Sequence, residues 1–222
     1  MNKGQQFWVE LWREGRTHFH REDVNPDLIA YWPSLHQAPN ATVFVPLCGK
    51  SLDILWLSQQ GFNVVGIELS EEAVKQFAVE HQLDLQREAR GQATCYFTHS
   101  ISIWVADIFS LAPSHIAPVD AIYDRAALIA LPKKLRSHYV DLCLQWLKPG
   151  GAILLKTLSY NQQDMEGPPF NVSDEEVVQL YSSECSEIKC IKSSERSKNL
   201  DDHLFQRGVN KIKDSVWSIR KK

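Results

Sequence analysis

The chain has 222 residues, 44% of them hydrophobic, enough to bury one large core, and nothing in it demands a second. Its 24 basic and 27 acidic residues give a formal charge of -3, which offers no electrostatic case for DNA or RNA as a partner. No run approaches the roughly 18 apolar residues of a membrane span and the N-terminus lacks an apolar signal core, so a cytoplasmic location is expected.

The first forty residues are rich in aromatics. Phe7, Trp8, Leu11 and Trp12 recur at helical spacing and line one face of a helix that Gly15 ends. Asn25-Pro26 opens another, with Asn as N-cap and Pro at the first helical position. Segment 1–40 either covers the core or forms a helical lid over a ligand through Trp8 or Trp12. An aromatic lid suits a cationic ligand, because a ring face attracts a sulfonium or an ammonium.

Residues 42–46 read as a strand, Leu47-Cys48-Gly49 as a tight turn, 51–60 as a helix stopped by Gly61, and 64–67 as a second strand delivering Glu68. In open α/β sheets ligands sit beyond the carboxyl ends of the strands, and an acid about 20 residues after the glycine turn hydrogen-bonds a ribose hydroxyl. Glu68 follows Gly49 by 19 positions. The turn holds one glycine, not the Gly-x-Gly-x-x-Gly that brings backbone against a pyrophosphate, so a nucleoside without phosphates is the expected ligand. Cys48 is read as a packing residue. The five cysteines are odd in number and form no Cys-x-x-Cys pair, and no histidine lies at ligand spacing, so neither a disulfide framework nor a metal site is expected.

Ser70 is read as capping a helix that runs to about residue 82, with Glu71 and Glu72 favourably placed in its first turn. Residues 94–98 and 101–106 form two β-runs, the second leading into Asp107-Ile108, an acid and an apolar residue suited to the edge and face of a nucleobase. A strand at 119–123 ends in Asp124-Arg125, and a helix at 133–147 is stopped by Lys148-Pro-Gly-Gly151 before a strand at 152–158. Gly167-Pro-Pro-Phe170 is a rigid loop and Ser173-Asp-Glu-Glu176 a capping box. Runs at 187–191 and 215–219 alternate as a closing antiparallel pair, 192–202 is an exposed polar loop, and Arg220-Lys-Lys222 is a solvated end. Strands alternating with helices imply parallel pairing through right-handed crossovers. The expected fold is α/β, doubly wound and mostly parallel, with helices on both faces, in one domain spanning 1–222.

Trp8-x-x-x-Trp12, Phe19-His20, Val45-Pro-Leu-Cys-Gly-Lys50, Val64-Val-Gly-Ile-Glu68, Tyr123-Asp-Arg-Ala-Ala-Leu-Ile-Ala130 and Gly167-Pro-Pro-Phe170 together resemble the thiopurine S-methyltransferase family, in order across positions 5–180. The resemblance implies a seven-stranded class I methyltransferase fold and S-adenosyl-L-methionine as methyl donor. It also implies that Trp8 and Trp12 flank this cofactor, that Leu47 and Gly49 approach its methionine and ribose part, and that Glu68 holds the ribose hydroxyls. Asp107 and Ile108 fall at the adenine, Arg125 at the cofactor and substrate, and Phe19 and His20 at the substrate mouth. A further basic residue facing the substrate, Arg196 or Arg207, falls where the alignment ends. For Arg125 a structural ion pair with Asp124 or Asp107 is the rival role.

The activity so implied is S-methylation of small aromatic thiols, thiopurines among them, and of selenium or tellurium compounds, by a monomer. The rivals are methyl transfer to nitrogen or oxygen and a non-catalytic S-adenosylmethionine-binding module. The single glycine disfavours a nicotinamide dehydrogenase.

Overall fold

The computed structural model describes residues 1–199 and 202–222, which form two compact units, Met1–Ala117 and Pro118–Lys222. In the first unit α1 (Lys3–Arg13) opens on a reciprocal capping box between Asn2 and Gln5, and Gly15 at φ +68 closes its end as expected. Helix α2 (Pro26–Tyr31) starts at Asn25, whose side chain accepts from Asp27 N–H. The backbone N–H of Asn25 in turn donates to the buried Asp53 at 2.7 Å.

Strand β1 (Thr42–Val45), helix α3 (Leu52–Gln59), strand β2 (Asn63–Glu68) and helix α4 (Glu71–Glu80) follow the expected alternation. Then come β3 (Gln86–Arg90), β4 (Ala93–Phe97) and β5 (Ile101–Val105). The strand order in this unit is β3-β4-β5-β2-β1, with β1/β2 and β2/β5 parallel and β3/β4/β5 antiparallel. Register decides what these strands deliver. Glu68 is level with Val105, and Val45 with Gly66, so residues 46–49, 68–70 and 106–108 all emerge at one edge.

The second unit holds β6 (Val119–Arg125), α5 (Lys133–Trp146), β7 (Leu147–Ser159), α6 (Asp174–Tyr181), β8 (Cys185–Glu195), α7 (His203–Gln206) and β9 (Lys213–Lys221). Its strand order is β6-β7-β9-β8, with β6/β7 parallel and the rest antiparallel. The expected closing antiparallel pair is β8/β9.

Several local expectations need correction. The described residues hold nine strands where the resemblance implies seven; β4 answers to the β-run expected at 94–98, and the strand that was not expected is β3, its hairpin partner. All five residues of β3, Gln-Arg-Glu-Ala-Arg, are exposed, so the strand carries no alternation to read, and its charges suit an edge. Helix α5 runs directly into β7, so Lys148-Pro-Gly-Gly151 belongs to the strand rather than to a separating loop. Residues 192–195 extend β8, and the rest of the expected loop lies partly on 200 and 201, outside the described residues.

Arg220-Lys-Lys222 is no loose tail: Lys221 ends β9 with Nζ donating to Leu144 and Leu147 carbonyls at 2.6 and 2.8 Å. The capping box at Ser173 is half made. Ser173 Oγ accepts from Glu176 N–H, but the Glu176 carboxylate is held by Arg136 instead of returning to the cap.

Candidate active site

The edge where β1, β2 and β5 end gathers seven of the residues singled out in the sequence. The turn after β1 has unusual backbone: Leu47 at φ +44 and Gly49 at φ +52 both lie in the left-handed region. For Leu47 this conformation costs energy that a side chain rarely tolerates without cause, and such strain gathers at ligand sites. Gly49 has a second reason to lack a side chain. A Cβ there would lie 2.7 Å from Trp12 Cζ2, so the buried indole from α1 packs directly against the turn.

Glu68 closes this turn from the other strand. Its Oε2 accepts Gly49 N–H at 2.8 Å and its Oε1 accepts Ser70 N–H at 2.8 Å. Burial pushes the carboxyl above its ordinary range, and hydrogen bonds from Ser70, Gly49 and Leu69 backbone oppose that push. A carboxylate offers about four lone-pair sites, so these three backbone donors leave one for a hydroxyl of a ligand. Ser70 departs from its expected role: it makes no side-chain cap, and its buried Oγ has no hydrogen-bond partner. A buried hydroxyl left unpaired carries a cost that a ligand can remove.

Cys48 sits between the two strands with its sulfur beneath Gly66, where a Cβ would come within 2.8 Å of Sγ. Burial, and then the Glu68 charge, push the thiol well above its ordinary range, so it stays protonated and packs. Asp107 follows β5; its Oδ1 accepts Phe109 N–H at 3.1 Å and its Oδ2 accepts Gln5 Nε2 at 2.5 Å, while Ile108 is buried beside it. Phe19 stands edge-on to both tryptophans, 5.4 Å from Trp8 and 5.4 Å from Trp12. The neighbouring His20 donates its backbone N–H to Thr17.

A protein-family model described as thiopurine S-methyltransferase matches residues 3–222. A protein of that name from Legionella pneumophila is 58% identical over 221 residues, with all of both chains covered. The chain belongs to the thiopurine S-methyltransferase family. That makes it a methyltransferase acting on a small molecule. Two solved structures share its fold. A 1,6-didemethyltoxoflavin-N1-methyltransferase from Burkholderia thailandensis, described with bound S-adenosylhomocysteine, superposes with a TM-score of 0.65 at 14% identity, covering 98% of this chain and 87% of its own. A magnesium protoporphyrin IX methyltransferase from Synechocystis, described with bound S-adenosylmethionine, gives 0.65 at 12% identity over 100% and 99%. The fold is thus that of these methyltransferases, a mixed α/β sheet with helices on both sides.

In the second unit of this thiopurine S-methyltransferase family member, β6 ends at Arg125, and Ala126 next to it sits at φ +67. The strained residue after β6 mirrors Leu47 after β1. Asp124, one place earlier, is fully buried; its oxygens accept Leu128 N–H at 3.2 Å and Tyr139 Oη–H at 2.6 Å. Burial pushes its carboxyl up to about 6 despite those bonds. The proton is therefore bound more tightly in the folded than in the unfolded chain. Its contribution to stability is full below about pH 4 and lost as pH rises through about 6, a change of about 3 kcal/mol. Asp124→Asn is expected to flatten the pH dependence of urea stability across that window; parallel pH profiles for variant and parent would refute this.

Neither candidate basic residue near the C-terminus is a loose cation. Arg196 is pinned to Asp214 and Asp202, with Nε 2.5 Å from Asp214, and these partners hold its guanidinium firmly charged. Arg207 donates to the carbonyls of Pro168 and Gly167 and so props the Gly-Pro-Pro-Phe loop. Two residues at the site were not singled out for it in the sequence: Gln5, whose only signal was the Asn2-x-x-Gln5 box, and Ser70, read as an ordinary cap.

Proposed function

We propose that the protein transfers the methyl group of S-adenosyl-L-methionine to small aromatic thiols, and to comparably soft selenium or tellurium compounds. The observation that carries this reading is the grip of Glu68 on Gly49, two strands joined at one carboxylate with Trp12 packed over the turn. The residues fit this donor: a carboxylate with spare acceptor capacity suits a ribose hydroxyl, an unpaired buried hydroxyl stands beside it, and the aromatic rings of Trp8, Trp12 and Phe19 suit a sulfonium. The single glycine of the turn suits a nucleoside that brings no phosphates.

When bound, the donor supplies a methyl group on positively charged sulfur, open to one-step displacement by a nucleophile. The protein then has to align, exclude water and favour the ionised acceptor. Glu68 and Asp107 hold the nucleoside, Leu47 and Gly49 shape the turn against it, Ile108 packs on its base, and Trp8 and Trp12 on α1 act as the lid within segment 1–40. Arg125 favours the thiolate by charge and orients it, with Phe19 and His20 at the mouth. A heteroaromatic thiol is acidic enough to ionise near neutrality beside a cation, so no general base is required.

The test is incubation with methyl-labelled S-adenosylmethionine and a panel of aromatic thiols, selenite-derived species, amines and phenols. Label is expected on the thiols first. Label on amines or phenols alone would move the chemistry to nitrogen or oxygen, and binding of S-adenosylhomocysteine without any turnover would make the protein a non-catalytic module. In the same assay Arg125→Ala is expected to lower kcat/KM for an aromatic thiol about 10- to 100-fold, the scale of one charged hydrogen bond. Equal rates would make Arg125 structural.

A further inference from the structure

Gln5 does two jobs with one side chain. Its Oε1 accepts Asn2 N–H at 2.7 Å and completes the capping box of α1, while its Nε2 donates to Asp107 Oδ2 at 2.5 Å, 102 residues away. Only one orientation of the amide satisfies both, because a carboxylate offers no proton and a backbone N–H offers no lone pair. At the other end of the same helix, the Trp12 ring lies on Gly49 and the Trp12 carbonyl accepts from Gln76 Nε2 at 3.5 Å. Helix α1 is therefore pinned at its start to the end of β5 and at its finish to the turn after β1.

The Asp107 carboxylate is held from two sides, by Phe109 N–H on Oδ1 and by Gln5 on Oδ2. Gln5 Nε2 carries a second hydrogen, and Asp107 Oδ2 has a further lone pair. Side by side, these are one donor and one acceptor. Adenine offers the complement, an exocyclic N–H beside a ring nitrogen with a lone pair. Hypoxanthine, with a carbonyl beside a ring N–H, offers the reverse.

We infer that Gln5 is a positioning residue: it latches α1 onto Asp107, so that closing the lid and reading the amino edge of the donor's nucleobase are one event. The inference rests on the cofactor site proposed above and adds a residue and a specificity to it. A side chain that served only the helix cap would need Oε1 alone; the bond from Nε2 to Asp107 is what ties the lid to the base-reading residue.

The test has two independent readouts. In the free protein, hydrogen exchange of α1 amides is expected to quicken about tenfold in Gln5→Ala while β1 and β2 keep their protection. In binding, the preference of the parent for S-adenosylhomocysteine over S-inosylhomocysteine is expected to shrink about tenfold in Gln5→Ala, and to shrink further in Gln5→Glu, which sets carboxylate against carboxylate. Unchanged α1 exchange in Gln5→Ala would overturn the latch. Equal weakening of both ligands, with the preference intact, would overturn the reading role. Failure of the parent to bind S-adenosylhomocysteine would instead count against the cofactor site, and the exchange experiment would still decide the latch.

Discussion

Glu68→Ala is expected to weaken binding of S-adenosylhomocysteine by about 1–3 kcal/mol, or roughly 5- to 150-fold in dissociation constant. Two losses combine. The carboxylate is the ribose acceptor in the proposed site, and it is also the brace that joins Gly49 N–H to Ser70 N–H across the strand ends. Without it both amides lose their acceptor, and the turn that holds Leu47 and Gly49 in left-handed backbone loses the partner that fixes it. Glu68→Gln keeps one neutral acceptor oxygen and gives up the charge, so it should fall between parent and Ala. Calorimetric titration decides, with circular dichroism to confirm that each variant is folded. An unchanged dissociation constant in Glu68→Ala would sink the ribose role.

Arg136→Ala is expected to cost about 3–5 kcal/mol of folding stability, the scale of a buried ion pair broken on one side. The Arg136 side chain is 2% exposed and that of Glu176 11%. Its Nε donates to the Leu131 carbonyl at 3.0 Å, and its Nη1 reaches the Asn171 carbonyl at 2.9 Å and both Glu176 oxygens at 2.8 Å. One guanidinium thus ties the segment before α5 to the loop before α6 and to α6 itself. Alanine would leave a largely buried carboxylate with its cation gone and two carbonyls without their donor. Arg136→Met combined with Glu176→Leu leaves no lone charge and should cost less than Arg136→Ala alone. Urea midpoints measure both, and a single variant no less stable than the double would show that the pair carries little.

How far the fold and site could be read from the sequence depended on the range of the interactions. The turn at Leu47-Cys48-Gly49, the strand that ends in Glu68 and the spacing of 19 between them are local, and periodicity with a helix stop at Gly61 was enough to find them. Phe7, Trp8, Leu11 and Trp12 showed a helix face because residues three and four apart share one side. Strand β3 escaped because five exposed residues, four of them polar, have no apolar face at a sheet edge, and only pairing with β4 makes them a strand.

By itself the sequence determined the elements that rest on backbone preference and apolar period: the helix ends, the alternation of strands and helices, and the order in which acids and aromatics reach the strand ends. Tertiary structure alone decided which side chain meets which. Gln5 finds Asp107 across 102 residues, Arg136 draws Glu176 away from its own cap across 40, and Lys221 satisfies carbonyls at the end of α5. Hydrogen-bonding side chains are promiscuous in sequence, since any donor suits any acceptor. Only strand register and helix packing bring one pair within 3 Å and leave the others apart.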